Sequence, residues 1–264
     1  MEKISEKQRN MDISISVISH GQIHLIEELL RDISQHCSTF SLELILTLNL
    51  DELLPFAEDS FSFPLEIIRN KVPLGFAANH NQAFVNATGK YFCVMNPDIR
   101  LNDDPFPVLI SCLQNDSVGV VAPLVLGEGG AMEDSARRFP TPLKILCKAV
   151  GGCKGSDYAV KNETIFPDWV GGMFMLFRSE VFVELGGFDQ RYFLYYEDVD
   201  LCARLRLQGY EVALCPGAKI IHYARRHSHG NLKYLAWHLA SMVRFFCSQP
   251  FLKFCWRRLT KQSR

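Results

Sequence analysis

The sequence predicts an α/β fold built on a mostly parallel sheet flanked by helices, with an amphipathic helical tail at the C-terminus. Three observations predict it. Over the first hundred residues, short β-branched or apolar runs alternate with helix-length segments, the order of a parallel sheet with right-handed crossovers. A near-continuous apolar strand, YFCVMN at 91–96, is stopped by Pro97 and followed by Asp98. After Glu211 there is no acid but ten Lys/Arg, which leaves residues 1–211 at a net charge of −11. A tail this basic seeks a polyanion.

The elements follow in order. Residues 12–19, DISISVIS, alternate Ile13, Ile15 and Val17 with Ser14 and Ser16 and form a first strand ended by His20-Gly21. Residues 23–36 carry Ile23, Ile26, Leu29 and Ile33 at helical spacing. LELILTL (42–48) and LEII (65–68) are strands two and three, and 69–89 is a loop leading into a helix. Residues 108–116 read as a helix and 118–126 as a strand. The stretches 127–142 and 151–163 are turn-rich loops. DWVGGMFMLFR (168–178) is one strand entered through two glycines, and 210–216 and 219–223 are a pair of strands. Residues 197–208 form a helix with an apolar side, closed by Gly209. Leu232, Leu235, Leu239, Met242 and Phe246 step three and four apart, an amphipathic helix.

Composition narrows the class. The chain has 264 residues, 48% of them apolar, enough for a sizeable core. No apolar run approaches the roughly 20 residues of a membrane-spanning helix. The charged start, MEKISEKQRNMD, is no secretory signal. Nine cysteines without CxxC spacing predict reduced, mostly buried thiols, and neither structural zinc nor a disulfide framework. The mixed aromatic and basic tail suits an anionic membrane surface. No nucleic-acid motif accompanies it, so nucleic acid is not expected as a partner.

The acids carry the chemistry. Glu197, Asp198 and Asp200 open a helix just after Phe193, Tyr195 and Tyr196. A carboxylate against aromatic walls is partly desolvated, which raises its pKa toward that of a usable general base. Asp98 stands at the C-terminal edge of the sheet, where ligands of such folds bind. There it suits a hard divalent ion completed by substrate phosphates. His20, Asn49 and Asp98 all follow strand ends and should converge. His222, at the end of a late strand, is a candidate metal ligand or phosphate contact.

IIRNKVPLGFAANHNQAF, YFCVMNPDIRL, the long segment from Trp169 through Glu211 and the late IIHY occur together in the order of family-2 glycosyltransferases. The chain resembles that family over about residues 12–223. The resemblance implies a GT-A (Rossmann-like) fold, with a nucleotide-sugar half over 12–104 and an acceptor half over 105–223; the amphipathic, basic segment over 224–264 is expected as a membrane-associating tail. It is most similar to bacterial rhamnosyltransferases of O-antigen (lipopolysaccharide) biosynthesis. That likeness implies inverting, metal-dependent transfer from dTDP-L-rhamnose to an undecaprenyl-diphosphate-linked, GlcNAc-type sugar. The expected place is peripheral, at the cytoplasmic face of the bacterial inner membrane.

Residue by residue, the resemblance makes Asp198 the general base, and Glu197 its neighbour that orients it or the acceptor. It puts Trp169, Gly171 and Gly172 on the acceptor side. Ser19, His20, Asn49, Asn70, Gly75, Phe76, Asn79 and Asn96 fall on the donor side. Arg204 either holds the diphosphate or pairs with the acids of its own helix. Asp98 and His222 would hold Mg²⁺ or Mn²⁺. One position departs from the family: Leu48 stands where most members have a base-reading Asp. A sugar nucleotidyltransferase would need a Gly-rich, basic phosphate loop near strand one, and SHGQ (19–22) is not one. A non-catalytic scaffold that keeps the fold is the other alternative.

Overall fold

The structure is a computed structural model that describes residues 10–149, 151–152, 155–223 and 232–254. Much of the expected tail, including Arg225, Arg226, Arg257, Arg258, Lys261 and Arg264, lies outside these residues.

Strands β1 (Met11–Ser19), β2 (Leu42–Leu48), β3 (Leu65–Arg69) and β4 (Gly89–Met95) form the parallel part of an eight-stranded sheet. Its order is β3-β2-β1-β4-β9-β6-β10-β5. Strand β9 (Phe174–Arg178) runs antiparallel between β4 and β6 (Val118–Gly127). Strand β10 (Glu211–His222) then pairs parallel with β6, and β5 (Ile99–Arg100) closes the edge antiparallel. A separate two-stranded ribbon joins β7 (Ala136–Arg137) to β8 (Trp169–Val170).

The sheet has a core on each face. On one face Ile13, Ile15 and Val17 meet the buried side of α1 (Ile23–His36) and α3 (Phe106–Leu113). On the other lie α2 (Phe76–Asn86), α5 (Ser179–Glu184) and α6 (Glu197–Gln208), around the rings of Phe84, Phe92 and Phe182. The alternating serines of β1 do not face water. Ser14 and Ser16 are fully buried, and each is satisfied: Ser14 Oγ donates to Glu43 Oε1 (2.6 Å), and Ser16 Oγ bonds His80 Nδ1 (2.8 Å).

Four sequence-based expectations change. The strand expected over 168–178 is split into β8 and β9, because Gly171 turns away to donate to the Ser135 carbonyl. The expected strand pair over 210–223 is one strand, β10, broken only by a register shift between Cys215 and Lys219. Helix α6 is buried nearly all round, Asp200 included, rather than on one side. Within the expected loop 127–142 lies β7, followed by α4 (Pro142–Ala149).

Cys147 of α4 is disulfide-bonded, against the expectation of reduced thiols; its partner lies outside the described residues. The Gly152 N–H donates to the Cys147 carbonyl, so the chain folds back on this cysteine without any CxxC signature. Cys37, Cys93, Cys112, Cys202, Cys215 and Cys247 are free thiols.

The final helix, α7 (Leu232–Phe246), is not a detached tail. Phe245 and Ser241 are buried, and Ser241 Oγ donates to the Leu194 carbonyl (2.9 Å). No described helix is long and apolar enough to cross a membrane.

Candidate active site

A cavity of about 500 Å³ opens at the C-terminal edge of β1, β2 and β4. His20, Asn49 and Asp98 all line it, as their strand-end positions predict. Gly75, Phe76, Asn79 and Asn96 line it too.

Its floor is an amide network. Asn49 Oδ1 accepts from the Leu74 N–H (2.8 Å) and from Asn70 Nδ2 (2.9 Å). Asn49 Nδ2 donates to the Leu74 carbonyl (2.9 Å) and to His20 Nδ1 (3.0 Å). Asn70 Nδ2 also reaches Asn79 Oδ1 (2.7 Å). These amides hold the loop before α2 against the sheet. Asn70 does not line the cavity, so it acts through the loop. Ser19 is likewise enclosed, donating to Glu52 Oε1 (3.0 Å), while Glu52 also accepts the N–H groups of Gly21 and Ile23. Leu48, at the departed position, is core.

Asp98 sits between this cavity and a second one of about 540 Å³ that includes Glu28, Arg100, Glu133 and His222. Its Oδ1 is buried without a hydrogen bond, and His222 Nε2 stands 3.4 Å away, an ion-pair distance but a long one. The other ring nitrogen of His222, Nδ1, lies 2.9 Å from Glu133 Oε2. Burial would lower the His222 pKa, but the carboxylates of Asp98 and Glu133 outweigh it and raise it to about 8. The segment carrying Asp98 is clamped from α1. Arg100 forks onto Asp32 (2.6 and 3.0 Å), and Asp32 Oδ2 also accepts the Leu101 N–H.

Among the described residues no three His, Cys, Asp or Glu converge as a ready metal cage. Asp98 with its orphaned oxygen and His222 nevertheless fit a hard divalent ion, with Glu133 orienting the imidazole from behind.

Asp198 is not among the residues lining the first cavity but is tied to Gly172, a neighbour of the cavity-lining Phe76 ring. Gly172 donates to its Oδ2 (2.9 Å) and the Val199 N–H to its Oδ1 (2.8 Å). A Cβ built on Gly172 would stand 3.4 Å from the Phe76 ring and 3.5 Å from Asp198 Cβ, so Gly172 has the cavity-lining ring and the carboxylate residue as neighbours. Burial raises the Asp198 pKa; the Gly172 and Val199 N–H groups and the Arg137 charge pull it back without cancelling the rise. Glu197 is pushed well above the usual carboxylate range, first by burial and then by the charge of Asp198, and its Oε2 has no hydrogen bond.

The backbone before them is strained. Tyr195 (φ 71°) and Tyr196 (φ 66°) are consecutive left-handed non-glycine residues. Such conformations cost on the order of 1–3 kcal/mol each and gather at functional sites. Packing holds them: Tyr196 lies against Phe245 and His238, and the Phe193 carbonyl accepts the Phe76 N–H (2.9 Å). Gly75 makes that approach possible, since a Cβ there would sit 2.5 Å from the Phe193 oxygen.

Trp169, expected on the acceptor side, is half-buried. Its Nε1 donates to the Arg138 carbonyl (3.1 Å), and Arg137 lies over its ring at 5.6 Å. Arg204 does not line the first cavity. It is spent on Asp200 Oδ2 (2.8 Å) and the Leu185 carbonyl (2.8 Å), the helix-pairing alternative. Sequence reasoning did not find three residues. Glu133 lies in a turn-rich loop with no pattern to mark it. Tyr234 and Trp237 line the cavity from α7; their signal was two aromatics inside an amphipathic helix.

Residues 14–180 match the family described as Glycosyl transferase family 2, and residues 157–238 match Glycosyltransferase like family 2. The chain belongs to glycosyl transferase family 2. This glycosyltransferase is 30% identical over 254 residues to Rhamnosyltransferase WbbL of Escherichia coli (strain K12), covering 91% of this chain and 94% of that protein. It is 31% identical over 147 residues to N-acetylglucosaminyl-diphospho-decaprenol L-rhamnosyltransferase of Mycobacterium tuberculosis, covering 52% of this chain and 48% of that one. Its fold is the GT-A fold. It superposes with a TM-score of 0.68 on GalNAc-T7 with UDP, GalNAc and Mn²⁺ (14% identity, 92% of this chain, 48% of that). The TM-score is 0.59 with mannosyltransferase PcManGT of Pyrobaculum calidifontis in complex with GDP-Man and Mn²⁺ (17% identity, 90% and 65%).

Proposed function

We infer that this glycosyltransferase moves L-rhamnose from dTDP-L-rhamnose to a GlcNAc-type sugar on undecaprenyl diphosphate, inverting the anomeric centre. The reaction would take place at the cytoplasmic face of a bacterial inner membrane, in O-antigen assembly. The observation that carries the chemistry is the Asp198 carboxylate, desolvated yet held by two backbone N–H groups, one of them from Gly172 next to the cavity-lining Phe76 ring. The rhamnose and the lipid diphosphate rest on the likeness to the two rhamnosyltransferases.

In this reading the strand-edge cavity takes the nucleotide sugar, and the ribbon with Trp169 and Gly171 faces the acceptor. Asp198 accepts the proton of the acceptor hydroxyl as that oxygen attacks the anomeric carbon. The bond from that carbon to the diphosphate oxygen breaks, and dTDP leaves. Mg²⁺ or Mn²⁺ held by Asp98 and His222 would neutralise charge on the leaving diphosphate. Gly172 and Val199 keep the carboxylate in one rotamer, so no reorganisation is needed at the moment of transfer. Burial and the Asp198 charge push the Glu197 pKa up, which disfavours a second negative charge beside the base.

The test is to incubate the protein with dTDP-L-rhamnose, Mg²⁺ or Mn²⁺ and a short-chain GlcNAc-diphosphate lipid, and to weigh the product. A product gaining one deoxyhexose and lost in Asp198→Asn supports the reading. Turnover only with another nucleotide sugar removes the rhamnose assignment. No transfer and no donor hydrolysis with any nucleotide sugar favours a non-catalytic scaffold.

A further inference from the structure

Helix α7 has two working faces. The inner one enters the cavity. Tyr234 and Trp237 line it, and Trp237 packs on Phe193 with ring centroids 4.7 Å apart. Further along, His238 lies against Tyr195 and Tyr196, Ser241 holds the Leu194 carbonyl, and Phe245 is buried against Tyr196. Every residue of the loop 193–196, including the strained pair before Glu197 and Asp198, therefore has a partner on this one helix.

The outer face is apolar and bare. Leu232, Leu235, Leu239 and Val243 are 81%, 53%, 46% and 58% exposed and recur three or four residues apart, one stripe of the helix. Leu252, in the helical turns over 249–254, is exposed as well. Phe139 packs edge-on against Phe254 at 4.7 Å, which brings α4, with exposed Leu143 and Leu146, next to this end of the chain. From residue 212 onward the sequence has no acidic side chain; of the basic ones in the described helices, Lys233 lies over the Trp237 ring at 5.0 Å, and Arg244 and Lys253 accompany it. An apolar stripe on a segment with basic and no acidic side chains matches an anionic lipid surface.

We propose that α7 joins two sites: Trp237 and Tyr234 are substrate contacts of the nucleotide-sugar cavity, and the leucine stripe behind them lies on an anionic bilayer, so lipid docking and donor binding strengthen each other. This rests on the reading of the cavity as the donor site. Bilayer contact steadies α7, and α7 steadies both the cavity wall and the loop that aims Asp198. Coupling of this kind is reciprocal: the factor by which lipid tightens donor binding equals the factor by which donor tightens lipid binding.

The experiment measures dTDP affinity of the full chain by calorimetry, with and without phosphatidylglycerol-containing vesicles, and vesicle affinity by flotation, with and without saturating dTDP. The expected result is a gain of about five-fold or more in both directions, absent with phosphatidylcholine vesicles. Leu235→Glu with Leu239→Glu should abolish vesicle binding and the gain while leaving dTDP affinity in buffer unchanged. Trp237→Ala should lower dTDP affinity and raise donor KM while vesicle binding persists, and Trp237→Phe should restore most of the loss.

Vesicle binding without any change in dTDP affinity would overturn the coupling and leave the donor reading standing. A protein that ignores vesicles but dimerises through the stripe, with Leu235→Glu making it monomeric, would overturn the lipid surface. Failure of dTDP, UDP and GDP to bind under any condition would overturn the donor cavity itself.

Discussion

At the scale of the residue, two adjacent acids sit in different surroundings. Asp198 accepts two backbone N–H groups and Glu197 accepts no side-chain hydrogen bond at Oε2. Asp198→Asn should cut kcat by about 10²–10⁴ with donor affinity nearly unchanged; undiminished turnover would remove Asp198 as base. Burial and the neighbouring Asp198 charge push the Glu197 pKa well above the usual carboxylate range, which favours the neutral form that Gln imitates. Glu197→Gln should therefore leave thermal stability close to wild type, and a collapse of stability would show that the ionised form is the native one.

The pH dependence has a definite sign. The folded pKa of Asp198 lies above its ordinary value, so kcat/KM should fall as pH drops through that raised value. A rate held constant down to about pH 4, the ordinary carboxylate range, would contradict it. The same shift acts on stability in the opposite sense from a salt-bridged acid. The folded chain binds these protons more tightly than the unfolded one, so their contribution is full at low pH and is lost as pH rises through the folded pKa.

At the scale of the element, close approaches and networks do what single side chains cannot. Gly75 lets the chain at Phe193 touch the first turn of α2. Gly75→Ala should cost about 1–3 kcal/mol in denaturant unfolding and lower kcat more than donor affinity, since the displaced loop leads into Asp198. Equal loss in both would assign the glycine to the donor cavity alone.

What the sequence revealed at this scale depended on length of pattern. Helix α1 and strand β2 coincide with the segments expected from apolar spacing, because a long amphipathic or apolar run leaves few alternatives. Strands β5, β7 and β8 have two residues each, too short to show any period. The use of Arg204 was legible in its i, i+4 spacing from Asp200. Glu133 was not, because its partner His222 is 89 residues away and only the sheet brings them together. Trp237 was visible as an aromatic in an amphipathic helix, but which face it lay on depends on the loop 193–196 that the helix covers.

At the scale of the whole molecule, Asp98 occupies the seam between two sets of strands. It follows β4, the last of the parallel strands that frame the nucleotide-side cavity. Its backbone carbonyl accepts the Tyr223 N–H just after β10, and its side chain faces His222 at the end of that strand. The two ligand candidates are 124 positions apart in sequence, as Asp98 and His222 number them, and only the closing of β10 onto β6 and β5 unites them. An ion shared by them would therefore bind the folded chain and not the unfolded one, and would stabilise it by mass action. Mn²⁺ should raise the melting temperature of the wild-type protein, and dTDP should raise it further. A chelator should weaken dTDP binding, because an ion held by Asp98 and His222 would supply positive charge to the diphosphate. Asp98→Ala should bind dTDP as weakly as the chelated wild type and respond to neither Mn²⁺ nor chelator. Glu133→Gln, which touches only the far nitrogen of the imidazole, should keep the response and shift it to higher Mn²⁺ concentration. Identical dTDP affinity in wild type with Mn²⁺, with chelator, and in Asp98→Ala would mean that the carboxylate and the imidazole bind no ion and hold the seam together by themselves.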